Sequence, residues 1–379
     1  MEYFDPEIQS ILRMGIYQIR FLEKIPKSAA VNESVELVKA ARKRSAAGLV
    51  NAVLRKCQPS IRRPGEEGSD IELTERALHA LPDWLRQRWE RNFGDGGVRS
   101  LAAASVSLPP TTLRVAGGKR EEIQEELLGE GIKTRPGLVS AQALIVESGN
   151  VHASTALREG RAVIQDEASQ LVAALLSPQP GDRVLDLCAA PGIKTRQLAT
   201  ALGSGHLIAC DLSSKRLRTM AGLTRGSIPA EVNLNLVRLD AAQQLPFGRR
   251  FDRILLDAPC SGTGTLARNP EIKWRLRPKD LGRLSATQTA MLKNALQSLA
   301  PGGRLVYATC SLEPEENERV VDAVLESASG FRLRTREELA SEFPVLTALF
   351  DARGYFRTRP DLHGMDGFFA GILDGEFGA

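Results

Sequence analysis

Two cysteines in this chain share the same surroundings. Cys260 ends the run RILLDAPC (253–260) and is followed by SGTG, and Cys310 ends RLVYATC (304–310) and is followed by SLEPEENE. Free cysteine more often packs as a small hydrophobe, and Cys57, Cys188 and Cys210 read that way. Cys260 and Cys310 differ, because each closes an apolar strand that ends at an expected ligand crevice and runs into glycine or polar residues. A thiol in such a place can ionise, and the thiolate is a strong nucleophile. Four aspartates stand in comparable positions: Asp186 within VLDL, Asp211 after LIAC, Asp240 after LNLVRL and Asp257 after RILL. A single aspartate at a strand end is ordinarily a cap or turn former. Four in register, at strand ends that converge in a doubly wound sheet, predict one shared crevice. An acid after the second strand is where a ribose diol is bonded, and one after the third can reach an adenine amino group, so a nucleoside-like ligand is expected.

The stretch VLDLCAAPGIKTRQL (184–198) reads as strand, tight turn and a helix whose pattern opens at Lys194. Such a turn offers free backbone N–H groups and a helix N-terminus to a polar or anionic ligand. Alone it reads equally well as an ordinary strand-to-helix turn. A dinucleotide oxidoreductase is the natural rival, but the GxGxxG wording is absent and APGIK stands in its place.

The surrounding elements follow from periodicity. Strands at 207–211, 234–240, 253–260 and 304–310 alternate with helices at 213–222, 285–299 and 315–327, the pattern of a mostly parallel sheet covered on both faces. The segment TRPDLHGMDGFFAGIL (358–373) predicts a hairpin at the sheet edge. Upstream, residues 5–57 carry an apolar stripe at helical spacing (Ile8, Ile11, Leu12, Ile16, Ile19), broken at Pro26. Residues 58–70 are rich in Pro, Gly and charge and read as a linker. Residues 78–93 form a basic amphipathic helix whose Trp84 and Trp89 could stack on bases, although aromatics at that spacing are more often core. Short β-like runs around a helix at 120–131 predict a small α+β module, and 163–176 a strand and helix that open the last domain.

The 379 residues allow two or three domains, and a net charge of +4 is too small to demand a polyanionic partner. Basic clusters at Arg13–Arg20, Lys39–Arg44, Lys56–Arg63, Arg86–Arg91 and Lys273–Arg283 could face RNA, with solvated helix faces as the commoner meaning of any one. Five cysteines without a CxxC pair argue against a disulfide framework and a zinc site. No signal peptide or transmembrane run is legible, so a cytoplasmic protein is expected.

DLCAAPGIKT, DAPCSGTGTLARNPEIKW and YATCSLEPEENE resemble the signature motifs of the Nop/Sun family of RNA cytosine-5 methyltransferases, and residues 5–57 resemble the NusB-like RNA-binding domain, notably in IPKSAAVNESVELVK and GLVNAVLR. The resemblance implies an α/β fold: a Rossmann-like, S-adenosylmethionine-dependent methyltransferase domain (161–379) with a mostly parallel seven-stranded sheet. Before it would lie a NusB-like helical domain (1–60) that starts where relatives have further helices, a linker (61–72) and a small RNA-binding α+β module (73–160). The resemblance makes Cys310 the nucleophile, Cys260 the group that assists proton loss and adduct release, and Asp257 the contact to the base. DNA methyltransferases instead use the Pro-Cys cysteine as nucleophile, so the Thr-Cys motif points to RNA. The implied cofactor is S-adenosylmethionine, held by Cys188, Ala189, Ala190, Pro191, Gly192, Ile193, Lys194, Asp211, Asp240 and Asp257, with no metal. Ile193 replaces a second glycine of many relatives, and the helix start should tolerate a side chain there if it points away from the ligand. Arg268, Lys273 and Arg275 are expected on RNA phosphates. The implied partner is ribosomal RNA, 16S in a free or partly assembled small subunit, acted on by a monomer. A tRNA cytosine-5 methyltransferase and a non-catalytic NusB-like antitermination factor are the alternatives.

Overall fold

The computed structural model describes residues 4–22, 24–58, 70–248 and 250–375, with side chains from residue 74 onward in the third stretch. Residues 61–69 of the expected linker therefore lie outside the described residues, as does the end of the Lys56–Arg63 cluster, whereas 70–72 open a helix. The chain divides into two compact units, Met1–Leu73 and Thr74–Ala379.

In the first unit α1 (Pro6–Phe21), α2 (Lys27–Ala40) and α3 (Ala47–Lys56) share one apolar core. Ile8, Ile11, Leu12 and Ile19 of α1 pack on Ala30, Val31 and Val38 of α2 and on Val50 and Leu54 of α3. Gly15 permits the close crossing, since a Cβ there would lie 2.6 Å from Leu54 Cδ1. Pro6 sits in the first turn of α1, where its missing N–H costs nothing.

The second unit receives the end of α4 (Asp70–His79) and then α5 (Asp83–Val106), which is kinked at Gly94 with φ 74°. Next come β1 (Thr112–Val115), α6 (Arg120–Gly129), β2 (Lys133–Pro136), β3 (Ala143–Ser148), α7 (Thr155–Arg158) and β4 (Ala162–Ile164). These strands make an antiparallel sheet in the order β2-β3-β1-β4, with Ile123 and Leu127 of α6 packed on Leu113, Val115 and Leu144. The sequence reading placed the strand near Val163 in the last domain. Instead its backbone pairs with β1, so the small sheet runs one strand further than expected.

The larger sheet is built from β5 (Arg183–Leu187), β6 (Gly205–Asp211), β7 (Val232–Arg238), β8 (Phe251–Asp257), β9 (Leu299–Thr309), β10 (Phe331–Leu333), β11 (Phe356–Arg357) and β12 (Phe369–Gly375). Its order is β10-β12-β9-β8-β5-β6-β7, with the short β11 paired to β12 outside this path. Seven strands thus form the expected sheet, and a two-residue eighth flanks it. β5 through β9 run parallel and β12 antiparallel. The expected C-terminal hairpin forms, β11 pairing antiparallel with β12, but not at the sheet edge: β12 lies between β9 and β10, because its apolar residues Phe369–Leu373 are buried and need a covering neighbour. Between the strands run α8 (Glu167–Ala174), α9 (Ile193–Leu202), α10 (Ser214–Thr224), α11 (Ile272–Arg275), α12 (Pro278–Gln297), α13 (Glu318–Leu325), α14 (Arg336–Glu342) and α15 (Pro360–His363). Among the described residues no helix is long and apolar enough to cross a membrane, and no group of three or more His, Cys, Asp or Glu could hold a metal.

Strand order reverses between β5 and β8, the switch point where ligands bind in open α/β sheets. Beside it, the loop after β8 is docked on the loop before β12. Gly264 donates to the Cys310 carbonyl at 3.0 Å and accepts from Gly367 N–H at 2.8 Å. A Cβ on Gly264 would lie 2.0 Å from the Gly367 carbonyl oxygen, a backbone atom with nowhere to go. Gly264→Ala is therefore expected to lower the unfolding free energy in urea by about 2 kcal/mol or more. Gly222→Ala, on an open face of α10, should leave it equal or slightly higher.

Candidate active site

The turn after β5 is shaped by its backbone. Cys188 has φ 62° and Gly192, the residue capping α9, has φ 99°, both left-handed. A Cβ on Gly192 would meet Met220 Cγ at 2.8 Å, so glycine is required there both for its conformation and for its space. The turn borders a cavity of about 410 Å³ lined on this side by Cys188, Ala189, Ala190, Pro191, Ile193 and Lys194. Ile193, the first residue of α9, is among the residues that line the cavity. Asp186 also borders it, 1% exposed, and accepts from Thr195 Oγ1 at 2.6 Å. Burial raises its pKa to about 7, against the Thr195 hydrogen bond, which favours ionisation.

At the end of β8 the Asp257 carboxylate takes an ion pair from Lys194 Nζ at 2.8 Å. Burial opposes the charge on Lys194, but Asp257 and the nearby Cys310 outweigh it, and its pKa is raised. Lys194 also lies 5.3 Å from the centre of the Phe368 ring. Cys310 lines the same cavity, and its sulfur is 3.3 Å from that of Cys260. The hydrogen bond to Cys310, and then burial, push the Cys260 thiol well up. Burial raises Cys188 and takes Cys210 to about 12, so both remain thiols, as packed cysteines should.

One side chain that the sequence reading did not single out brings the two sulfurs together. Glu316 is fully buried between the cysteine loops. Its Oε1 accepts from Ser261 N–H at 2.8 Å and Gln288 Nε2 at 3.0 Å; its Oε2 accepts from Ser311 Oγ at 2.6 Å and from the Ser261 hydroxyl. Ser261 follows Cys260, and Ser311 follows Cys310. Neighbouring bonds close the same joint: Leu312 N–H donates to Thr263 Oγ1 at 3.0 Å, and Asn317 Nδ2 donates to the Ser311 carbonyl at 2.9 Å. The joint is also held from α5, where Trp89 Nε1 donates to Glu313 at 3.0 Å and Arg88 pairs with Glu313 and Glu315. The only hint in the sequence was an acidic run, EPEENE, behind Cys310.

Other expected residues are placed differently. Gly192, Asp211 and Asp240 do not line the cavity. Asp211 is buried, accepts from Ala190 N–H at 3.3 Å and pairs with Arg216 at 3.1 Å. Asp240 caps its own turn, accepting from Ala242 N–H at 2.9 Å. Arg268 is not free for a phosphate. It is tied at 3.0 Å to each of Asp366, Asp166 and the Pro110 carbonyl, and those two acids outweigh burial and raise its pKa. Lys273 is buried and burial lowers its pKa, whereas Arg275 is exposed. Trp89 is core at 1% exposure and Trp84 packs beside it; the tryptophan left in solvent is Trp274.

Comparison with known proteins agrees with this arrangement. Residues 173–374 match the family model described as 16S rRNA methyltransferase RsmB/F, residues 1–59 the NusB family, and 81–152 the ferredoxin-like domain of the RsmF/B-like methyltransferases. The chain is 33% identical to a probable ribosomal RNA small subunit methyltransferase B of Synechocystis sp., over 97% of this chain and 83% of that one. It is 35% identical to ribosomal RNA small subunit methyltransferase B of Vibrio cholerae, over 96% and 80%. A methyltransferase homolog protein from Pyrococcus horikoshii superposes with a TM-score of 0.67 at 26% identity, over 82% of this chain and 99% of that one.

Two consequences are measurable. Asp186 holds a proton in the folded state up to pH about 7 that it releases near 3.8 when unfolded, so its contribution to stability falls as pH rises across that window and is level above it. Asp186→Asn should remove that decline, gaining a few kcal/mol over wild type at pH 8 but not at pH 4, as read from urea denaturation at each pH. Glu316→Ala leaves buried donors unpaired and should cost about 3 kcal/mol or more, with Glu316→Gln costing less.

Proposed function

The chain belongs to the RsmB/F family of 16S rRNA methyltransferases, and from that premise we propose that it methylates carbon 5 of a cytosine in ribosomal RNA through a covalent adduct with Cys310. The observation that carries this reading is the pair of sulfurs 3.3 Å apart, with Cys310 on the cavity.

Carbon 5 of cytosine is a poor nucleophile. If the Cys310 thiolate adds to carbon 6, an S–C6 bond forms and the electrons of the 5,6 double bond move toward carbon 5, which can then attack a methyl group. S-adenosylmethionine supplies that methyl on a cationic sulfonium. The cavity suits such a ligand because the left-handed turn at Cys188 and Gly192 presents backbone and the start of α9 along its wall. Cys188, Ala189, Ala190, Pro191, Gly192, Ile193 and Lys194 would hold it, with Asp211 at the ribose and Asp240 at the adenine.

Lys194, whose charge is secured by Asp257, stabilises the Cys310 thiolate electrostatically. Asp257 is the group to meet the N3 and N4 edge of the base and favour the protonated ring that accepts the sulfur. After methyl transfer the carbon 5 proton passes to a water molecule acting as base. The electrons of that C–H bond rebuild the 5,6 double bond, and the S–C6 bond breaks to return Cys310 as thiolate. Cys260, in contact with the departing sulfur, assists this elimination. The target base has to be unstacked to reach the sulfurs, which favours loops or single-stranded RNA.

The two cysteines should fail differently. With S-adenosylmethionine and unmodified 16S RNA, Cys310→Ala is expected to form no 5-methylcytosine by bisulfite sequencing. Cys260→Ala is expected to accumulate a protein–RNA adduct that survives a denaturing gel. Residual methylation by Cys310→Ala, with no adduct from Cys260→Ala, would reverse the assignment.

A further inference from the structure

A second cleft touches the other sulfur. It holds about 340 Å³ and is lined by Cys260 and Ser261, by Ile272, Arg275 and Leu276 around α11, and by Asp280, Arg283 and Leu284 of α12. Because Cys260 and Cys310 are in contact, this cleft and the cavity bordered by Cys310 meet at the sulfur pair.

Its chemistry differs from that of the first cavity. Ile272, Leu276 and Leu284 give it an apolar floor, and two exposed arginines stand on its wall. Among the described residues neither the Arg275 nor the Arg283 guanidinium has an ion-pair or hydrogen-bond partner, whereas Arg268, Arg304 and Arg357 are paired with acids. The one lining acid, Asp280, is engaged at the start of α12, accepting from Arg277 N–H at 3.0 Å. Between the lining residues Ile272 and Arg275, α11 also presents Trp274, 68% exposed, although a tryptophan ordinarily buries most of its surface. An aromatic face beside unpaired cations is how proteins hold single-stranded nucleic acid: bases stack on the ring and the backbone lies along the charge.

Resting on the reading that this protein acts on RNA, we propose that the cleft between the Cys260 loop and α12 binds the nucleotide adjoining the target cytosine, its base on Trp274 and its phosphate between Arg275 and Arg283. A target base drawn into the first cavity leaves its stack, and the neighbouring nucleotide loses that stacking partner too. Trp274 supplies a replacement surface one nucleotide away. The cleft therefore sets which sequence context around the cytosine is accepted.

The test pairs binding with catalysis in the full chain. Fluorescence anisotropy with a short labelled oligocytidylate should show Trp274→Ala binding roughly five- to hundred-fold more weakly than wild type, with Trp274→Phe close to wild type. The double variant Arg275→Ala/Arg283→Ala should flatten the dependence of log Kd on log salt by about 0.7, the share of the one phosphate that both arginines hold on a single strand. With 16S RNA transcript, Trp274→Ala should raise KM for RNA much more than it lowers kcat and leave S-adenosylmethionine affinity by calorimetry unchanged. All three side chains are exposed, so folding is not at stake. Methylation and oligonucleotide binding that ignore Trp274, Arg275 and Arg283 would overturn the cleft and leave the methyltransferase reading standing. Trp274-dependent RNA binding without 5-methylcytosine would do the reverse, and an absence of RNA binding by wild type would sink both.

Discussion

The geometry of the site hangs on a buried carboxylate that touches no reacting atom. Glu316 lies beneath the loops after β8 and β9 and takes its hydrogen bonds from neutral donors: a backbone N–H, two serine hydroxyls and a glutamine amide. An ionised group out of water is tolerable only when such donors replace its hydration, and losing one leaves the charge exposed to a low dielectric. This makes the cluster close to all-or-none. Because two of the donors are the residues directly after Cys260 and Cys310, the condition that satisfies Glu316 also brings the sulfurs into contact. Parallel strands alone would not do this, since the β8–β9 register ends at Asp257 and Ala308, before either cysteine.

Contact between the thiols then divides their labour. The sulfurs are 3.3 Å apart, and the hydrogen bond to Cys310, then burial, with the negative charge of Glu316 adding to them, push the Cys260 thiol up. Lys194 sits on the other side, within electrostatic reach of Cys310, with its own charge fixed by Asp257. Similar residues on similar strands thus stand in different surroundings, Cys260 near a buried carboxylate and Cys310 within reach of an ammonium.

What could be read from the sequence follows the range of the interactions involved. The alternating strands, the glycine turn and the two cysteines at strand ends are local patterns, and the parallel sheet and the cavity beside Cys188–Lys194 were accordingly legible. Asp211 and Asp240 were read correctly as residues at strand ends, yet their carboxylates serve Ala190, Arg216 and Ala242, partners that only the folded turns reveal. Glu316 was invisible because its meaning lies in Ser261 and Gln288, distant along the chain. Arg268 looked like a phosphate ligand for the same reason: nothing local announces that Asp166 and Asp366 close on it. For Trp84 and Trp89 the commoner reading as core residues holds, since they pack along a long amphipathic helix, while Trp274, on the single turn of α11, is left exposed.

The smaller sheet is part of the site's construction. β4 leaves it at Ile164, and within two residues the chain has supplied Gln165 and Asp166 to the cavity wall before α8 begins. Gln165 accepts from the buried Arg114 of β1 at 2.7 Å and donates to Gln197 of α9 at 3.0 Å, so a polar chain runs from the small sheet to the helix behind the glycine turn. Burial, with Arg196 nearby, lowers Arg114 to about 10, a charge kept inside because that chain holds it. Asp166 caps α8 through Ala168 N–H, accepts from Asp366 N–H and pairs with Arg268. Any tilt of the small sheet against the large one must therefore break several buried polar contacts at once. The wall opposite the sulfurs is as firmly held as the sulfurs themselves, and what binds the small module also bears on the shape of the cavity.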